Sequence, residues 1–375
     1  MKSVLSKNIW LRRFEGKVAI SNLLTGRRTL LEPGEIDCLE PYCRNGSGQE
    51  PPESKTLNFL KEADILVPTD QASLEADRLA TSLVAAVDKF ISEKRGTSRR
   101  KVGEQVPNPE ERFQLGLELA KEALVEQHDE FGTDLENIFE HSINFYHQEV
   151  SSDRGFQHDL EFLKRCWGRP NLSDKYAQLP CLPETTQRRV DLGVTGSASN
   201  CLVLGDDDLV SLLWAIQSDS EVHTFELDPR LVDFLESQSL ENLKVFQRDL
   251  AEGLPEEHRG KYDRIYSDPT YTRKEMDMFL KCCAQGLSQS DGARVFLTTR
   301  PQLIEDGAQL PERLESLGLS IVAQHKNFSR YPLPQHVRSL TLQKLKTSGI
   351  SRHLLISLLQ VPFYYADMLE LKRLE

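Results

Sequence analysis

Val203-Leu204-Gly205-Asp206-Asp207-Asp208-Leu209 decides how the rest of the chain is read. An apolar run closes on a single glycine and is followed at once by three aspartates. A buried strand ending in a glycine turn is where an open parallel sheet presents its ligands. The strand at 201–204 is the first of seven short apolar runs, the others being 222–227, 243–246, 264–267, 294–297, 320–324 and 339–345. Helical patterns fill most of the gaps. Strands alternating with helices predict an α/β fold, a doubly wound and mostly parallel sheet. The last stretch, 353–375, is apolar and then charged, and is expected to pack back on this domain.

Acidic residues recur at the ends of consecutive predicted strands. Asp206, Asp207 and Asp208 follow the first, Glu226 the second, Asp249 with Leu250 the third, and Asp268 the fourth. In a doubly wound sheet these ends line one crevice. An acid about 20 residues past the first turn is placed to accept hydrogen bonds from ribose hydroxyls. An acid after the third strand can accept from an adenine amino group. Together they predict an adenosine pocket.

The first turn speaks to the donor. Turns that hold a pyrophosphate or an α-carboxylate are glycine-rich, so that backbone N–H groups can approach the anion. Three carboxylates repel such groups and attract amines and sulfonium centres. NAD is disfavoured. The turn leans toward decarboxylated S-adenosylmethionine over S-adenosylmethionine itself.

The fourth turn, Asp268-Pro269-Thr270-Tyr271, speaks to the acceptor. A nitrogen nucleophile loses a proton around the time it attacks the carbon beside a sulfonium, and Asp268 can orient that N–H and draw off the charge. Pro269 stiffens the loop. Tyr271 is placed to stack on a planar group or cap a cation.

The remaining sequence is read as two further zones. Residues 1–69 hold short β-compatible runs at 8–14, 17–24 and 27–31, separated by the turn dipeptides Glu15-Gly16 and Thr25-Gly26. Helical stretches at 35–42 and 53–63 and an apolar run at 65–67 complete a winged-helix-like unit. Residues 70–170 are expected to be helical. Asn108 and Pro109 open a helix over 108–127, with Phe113, Leu117, Ala120 and Leu124 on one face. The catalytic domain is expected over 171–375.

Composition narrows the function classes. The chain has 375 residues, of which 39% are apolar and 28% charged, and a net charge of −12. That surface disfavours nucleic acid. No apolar run is long enough to span a bilayer, and residues 1–16 lack the apolar stretch of a signal peptide. The seven cysteines include no CxxC pair, so neither a disulfide framework nor a metal site is expected, and the protein is read as cytoplasmic. His128, His141, His147 and His158 are read as surface residues, Cys282, Cys283 and Trp214 as core, and Ser211 as a helix residue.

Residues 176–345 resemble the branched-chain polyamine synthases, the bis(aminopropyl)spermidine synthase family. Besides the triple-aspartate turn, the matching stretches are Leu182-Pro183-Glu184-Thr185-Thr186, Leu227-Asp228-Pro229-Arg230-Leu231, Asp249-Leu250, Ser267-Asp268-Pro269 and Leu297-Thr298-Thr299-Arg300. The resemblance implies a class I methyltransferase-like (Rossmann-like) fold and aminopropyl transfer to a polyamine nitrogen. It implies that Gly205, Asp206, Glu226 and Asp249, with Leu250, hold the donor. Asp207, Asp268 and Glu184 would face the acceptor, with Asp208, Pro269 and Thr270 beside them. Asp268, Asp207 and Tyr271 would be the reacting groups. Related enzymes imply a homodimer through the front domain.

Thr270 stands where that family has a second proline, and Tyr271 leans toward a planar acceptor. An N-methyltransferase therefore stays open as the alternative. It would modify a side chain of a ribosomal peptide held by residues 1–69, which weakly resemble winged-helix peptide-recognition domains. A non-catalytic scaffold is the third reading, and the joint presence of Glu226, Asp249 and Asp268 argues against it.

Overall fold

A computed structural model describes residues 3–44, 46, 52–68, 156–194, 200–300, 304–332 and 363–374. The chain divides into two compact units. One comprises Met1–Val4, Val67–Phe156 and Pro332–Tyr364; the other comprises Leu5–Leu66, Gln157–Tyr331 and Tyr365–Glu375. The second unit carries the site.

At the front, β1 (Ser3–Leu5) and β5 (Leu66–Pro68) form a two-stranded sheet. Between them in sequence, β2 (Ile9–Phe14), β3 (Lys17–Asn22) and β4 (Arg28–Leu31) form an antiparallel meander. Glu15 and Gly16 both have positive φ, 49° and 79°, the geometry of a two-residue hairpin turn that closes Phe14 against Lys17. A 3-10 helix, Pro33–Tyr42, and α1 (Lys55–Glu62) follow. Ser54 caps α1 by accepting from Leu57 N at 3.2 Å. The order matches the sequence reading. Ile9, Leu11, Val18, Ile20, Leu39 and Leu60 share one apolar core with Val203, Leu213 and Trp214.

The main sheet has seven strands in the order β11-β12-β10-β9-β6-β7-β8. They are β6 (Cys201–Leu204), β7 (Val222–Glu226), β8 (Leu243–Gln247), β9 (Arg264–Ser267), β10 (Arg294–Thr299), β11 (Leu319–Pro332) and β12 (Phe363–Arg373). The pairs β6–β7, β7–β8, β6–β9 and β9–β10 are parallel, and β12 runs antiparallel to β10 with Val295 opposite Leu371. This is the doubly wound, class I methyltransferase-like sheet expected from the sequence.

Both faces of the sheet are covered, so its strands carry apolar residues on both sides. Cys201 and Val203 of β6 join one apolar cluster, Leu202 and Leu204 the other. Each such Leu or Val taken from water contributes about 1.5–3 kcal/mol. Covering helices are α2 (Leu160–Cys166), α3 (Pro183–Gly193), α4 (Val210–Gln217), α5 (Pro229–Glu236), α6 (Arg273–Gly286) and α7 (Leu310–Ser316). The chain leaves β6 toward β7 on one side and returns to β9 on the other. The turns after β6 and β9 therefore diverge, and a crevice opens between them.

Three expectations are corrected. The sixth run, 320–324, is part of the much longer β11. The remaining strand comes from Phe363–Arg373, in the stretch read as a packing tail; the run at 339–345 lies outside the described residues. Tyr365, Ala366, Met368 and Leu369 are buried in mid-sheet, and such a continuous apolar run has no period that separates a strand from a packed helix. His158 is core, not surface: it is 1% exposed, its Nε2 lies 3.1 Å from the Ser6 carbonyl oxygen, and burial pushes its pKa down to about 4. The helix over 108–127 and His128, His141 and His147 lie outside the described residues. Cys282, Cys283 and Trp214 are buried as expected. Among the described residues no helix is long and apolar enough to cross a membrane.

Candidate active site

The turn after β6 is built around Gly205, whose φ of +69° suits glycine. Asp206 follows and turns inward. Its Oδ1 accepts from Val210 N at 2.7 Å, and its Oδ2 accepts from the Ser211 hydroxyl, so the carboxylate secures the first turn of α4. Its own N–H donates to Glu226 Oε2 at 2.8 Å. Glu226, at the end of β7, also accepts at Oε1 from Leu227 N (2.7 Å) and Asp228 N (2.8 Å). One carboxylate thus ties together the turns after two strands. A carboxylate has about four acceptor positions, so one remains for a ligand hydroxyl. Asp249, exposed after β8, accepts from Ala251 N at 2.9 Å and starts a short 3-10 turn, Leu250–Glu252.

The turn after β9 is held differently. Asp268 Oδ2 accepts from Arg189 Nη2 at 2.9 Å and from the Tyr331 hydroxyl. Arg189, on α3, is 2% exposed; it also pairs with Asp208 and donates to the Tyr331 hydroxyl at 2.6 Å and to Ser329 Oγ at 3.1 Å. Asp208 accepts in addition from Cys181 N at 2.5 Å. Glu184, one turn earlier on α3, is 4% exposed and grips Arg330 of β11, whose Nε and Nη2 lie 3.1 and 3.0 Å from Oε2.

A cleft of about 180 Å³ opens over these turns. Of the residues singled out in the sequence, it brings together Gly205, Asp207, Glu226, Asp249, Leu250, Asp268 and Thr270. Asp206 and Asp208 do not line it, because their carboxylates are turned to α4 and to Arg189. Glu184 faces Arg330. Pro269 is buried behind the turn, and Tyr271 packs against the apolar cluster that holds Met276 and Leu280. Asp206, Asp208, Glu184 and Tyr271 each have a partner inside the protein. Lys175, Tyr176, Gln178, Phe225, Arg248, Glu275, Met278 and Phe279 also line it.

A family model, the Branched-chain polyamine synthase A C-terminal domain, matches residues 160–353, just over half of the chain. The chain belongs to this family. An N(4)-bis(aminopropyl)spermidine synthase of Thermococcus kodakarensis is 30% identical over 173 residues, covering 44% of this chain and 49% of the relative. An uncharacterized protein of Methanocaldococcus jannaschii is 26% identical over 185 residues, covering 47% of each. The chain spans about half the length of the curated relatives it matches. Among solved structures, the branched-chain polyamine synthase from Thermus thermophilus in complex with N4-aminopropylspermidine and 5'-methylthioadenosine is 24% identical. Its TM-score is 0.47, with 57% of this chain and 62% of that one covered.

The electrostatics of this branched-chain polyamine synthase family member are set by depth and by one guanidinium. Asp207, Glu226, Asp249, Asp268 and Glu275 face the cleft against Lys175 and Arg248, so acid outnumbers base there. Burial, then the charges of Asp208 and Asp268, push Asp207 well above the usual carboxylate range. Burial works to raise Asp208 as well, but the Arg189 guanidinium together with hydrogen bonds from Cys181 and to Asp268 outweighs it and holds that carboxyl low. Asp268 is raised to about 7, mostly by burial and by the charge of Asp208, with Arg189 and Tyr331 pulling the other way. Glu275 is held low by hydrogen bonds from Thr270 and Thr272.

Sequence reasoning missed Arg189 and Tyr331. A signal for Arg189 existed only in its place beside the buried Val190, on a helix that also buries Glu184, Thr185, Thr186 and Gln187. None existed for Tyr331, which reaches the site from a strand 63 residues beyond Asp268.

Proposed function

We propose that the chain transfers an aminopropyl group from decarboxylated S-adenosylmethionine to a nitrogen of an amine, with a polyamine as acceptor. The observation that carries this reading is the convergence of five carboxylates on one cleft at the carboxyl ends of β6 to β9. The decarboxylated donor has a sulfonium and an ammonium and no anionic group, so an acidic cleft attracts it. Intact S-adenosylmethionine adds a carboxylate that the same cleft repels. Glu226 has the spare acceptor capacity for ribose hydroxyls, and exposed Asp249 suits an adenine amino group. Leu250, Met278 and Phe279 supply apolar surface for the base.

In the reaction the acceptor nitrogen attacks the carbon next to sulfur. The C–N bond forms as the C–S bond breaks, the electron pair goes to sulfur, and a neutral thioether nucleoside leaves. The nitrogen sheds its proton to Asp268, a base poised near neutrality. Asp207 stands beside it; burial and its acidic neighbours favour its protonated form, and an arriving cation favours the ionised form that counters the charge of donor and acceptor. The name of the Thermococcus kodakarensis relative points to the same group and acceptor class, and family membership favours aminopropyl transfer over methylation of a peptide. The front sheet and helices keep a winged-helix-like order and are read as support for the catalytic unit, since they share its core.

Calorimetry with both donors tests the reading. The decarboxylated form is expected to bind at least about tenfold more tightly, and mass spectrometry should find an aminopropylated amine after incubation with spermidine. Tight binding of intact S-adenosylmethionine with none of the decarboxylated form would overturn it.

A further inference from the structure

Both donors that reach Asp268 converge on the same oxygen. Arg189 Nη2 lies 2.9 Å from Oδ2, and the Tyr331 hydroxyl donates to Oδ2 as well. The Asp208 carboxyl shares a hydrogen bond with the Asp268 side chain as well. The side chain is 20% exposed and lines the cleft. Tyr331 and Arg189 are themselves 3% and 2% exposed, and the guanidinium bonds the phenol at 2.6 Å and Ser329 Oγ at 3.1 Å. The phenol is thus locked between a cation that must donate to it and a carboxylate that must accept from it.

We infer that Tyr331, aligned by Arg189, is a positioning residue for Asp268: it holds Oδ2 and so orients the carboxylate that takes the proton from the attacking nitrogen. This rests on the aminopropyl-transfer reading above. The proton passes from nitrogen to the Asp268 carboxylate as the C–N bond forms, and no other co-reactant is needed. Four charged or titratable groups surround Asp268. Arg189 of α3 and Tyr331 of β11 favour its ionised form, while Asp207 and Asp208 of the turn after β6 favour the protonated one. Burial, reinforced by the Asp268 and Asp208 charges and only partly opposed by Arg189, keeps the Tyr331 phenol well above its ordinary value, so it remains a donor across the working pH range.

Tyr331→Phe removes one hydroxyl and leaves the packing, so it is the central variant. Its kcat is expected to fall about 10- to 100-fold, with donor Kd unchanged within about twofold. The acid limb of its pH–rate profile should move up by roughly one unit, because an interaction with the ionised carboxylate is lost. Arg189→Lys keeps the charge but not the fork, and should show the same shift. An unchanged kcat and limb in Tyr331→Phe would overturn the assignment, and so would a slower enzyme whose limb has not moved. Carboxyl NMR titration of Asp268 in the wild type and in Tyr331→Phe reads the clamp without turnover. An upward-moved midpoint supports it and an unmoved one refutes it, even if the wild type transfers no aminopropyl group and the functional reading fails separately.

Discussion

The carboxylates in and behind the two halves of the cleft are held by different means. On the donor side every acid is satisfied by backbone N–H groups within a few residues or one strand away: Asp206 by Val210, Glu226 by Asp206, Leu227 and Asp228, Asp249 by Ala251. On the acceptor side the acids are held by side chains distant in sequence: Asp268 by Arg189 and Tyr331, Glu184 by Arg330. Local backbone donors fix a geometry that each turn carries with it. A buried guanidinium fixes several turns relative to one another, and it also sets how strongly each acid holds its proton.

The comparison predicts unequal damage. Arg189→Met should cost most, because it strands Asp208 and partly buried Asp268 without their cation; a loss of about 3–5 kcal/mol is expected, read from the denaturant midpoint. Asp268→Asn should leave folding and donor affinity near normal while lowering kcat by about 10²–10⁴-fold. Glu226→Gln belongs to the donor half, and should weaken donor binding by about 1.5–3 kcal/mol in calorimetry with little change in saturated rate. Equal loss of kcat and donor affinity in both variants would erase the distinction between the halves.

Smaller effects sharpen it. Below the Asp268 pKa of about 7 the carboxyl is protonated and cannot accept from the nucleophile, so kcat/KM should rise with pH through that region, roughly tenfold per unit on the acid side. Asp268→Asn should remove that limb. Ser211→Ala deletes one donor to Asp206 inside the cap of α4, and should lower stability by about 1 kcal/mol with no change in kinetics.

The same contrast explains what was legible in the sequence. The strands β6 and β9, the hairpin at Glu15-Gly16 and the carboxylates Glu226, Asp249 and Asp268 are short-range features, and pattern alone found them. The sequence also put three aspartates in one turn without separating their jobs. Only Asp207 faces the cleft; Asp206 caps a helix and Asp208 holds an arginine, a division made by side-chain direction within three consecutive residues. Tyr271 lay beside the right turn yet packs into the apolar cluster. Arg189, Tyr331 and the Phe363–Arg373 strand depend on long-range pairing, which no local period reports.

Arg330 has a consequence for anyone dissecting the chain. While it grips Glu184, the same guanidinium donates to Asn8 Oδ1 at 2.8 Å and to the Lys7 carbonyl at 3.2 Å. Excising residues 1–68 would strip a buried cation of two acceptors and uncover the faces of α2 and α3 that pack on the front segment. Such a deletion would report on solubility and misfolding before it reported on recognition, and calorimetry should find the front segment and the nucleotide-fold portion melting in a single endotherm.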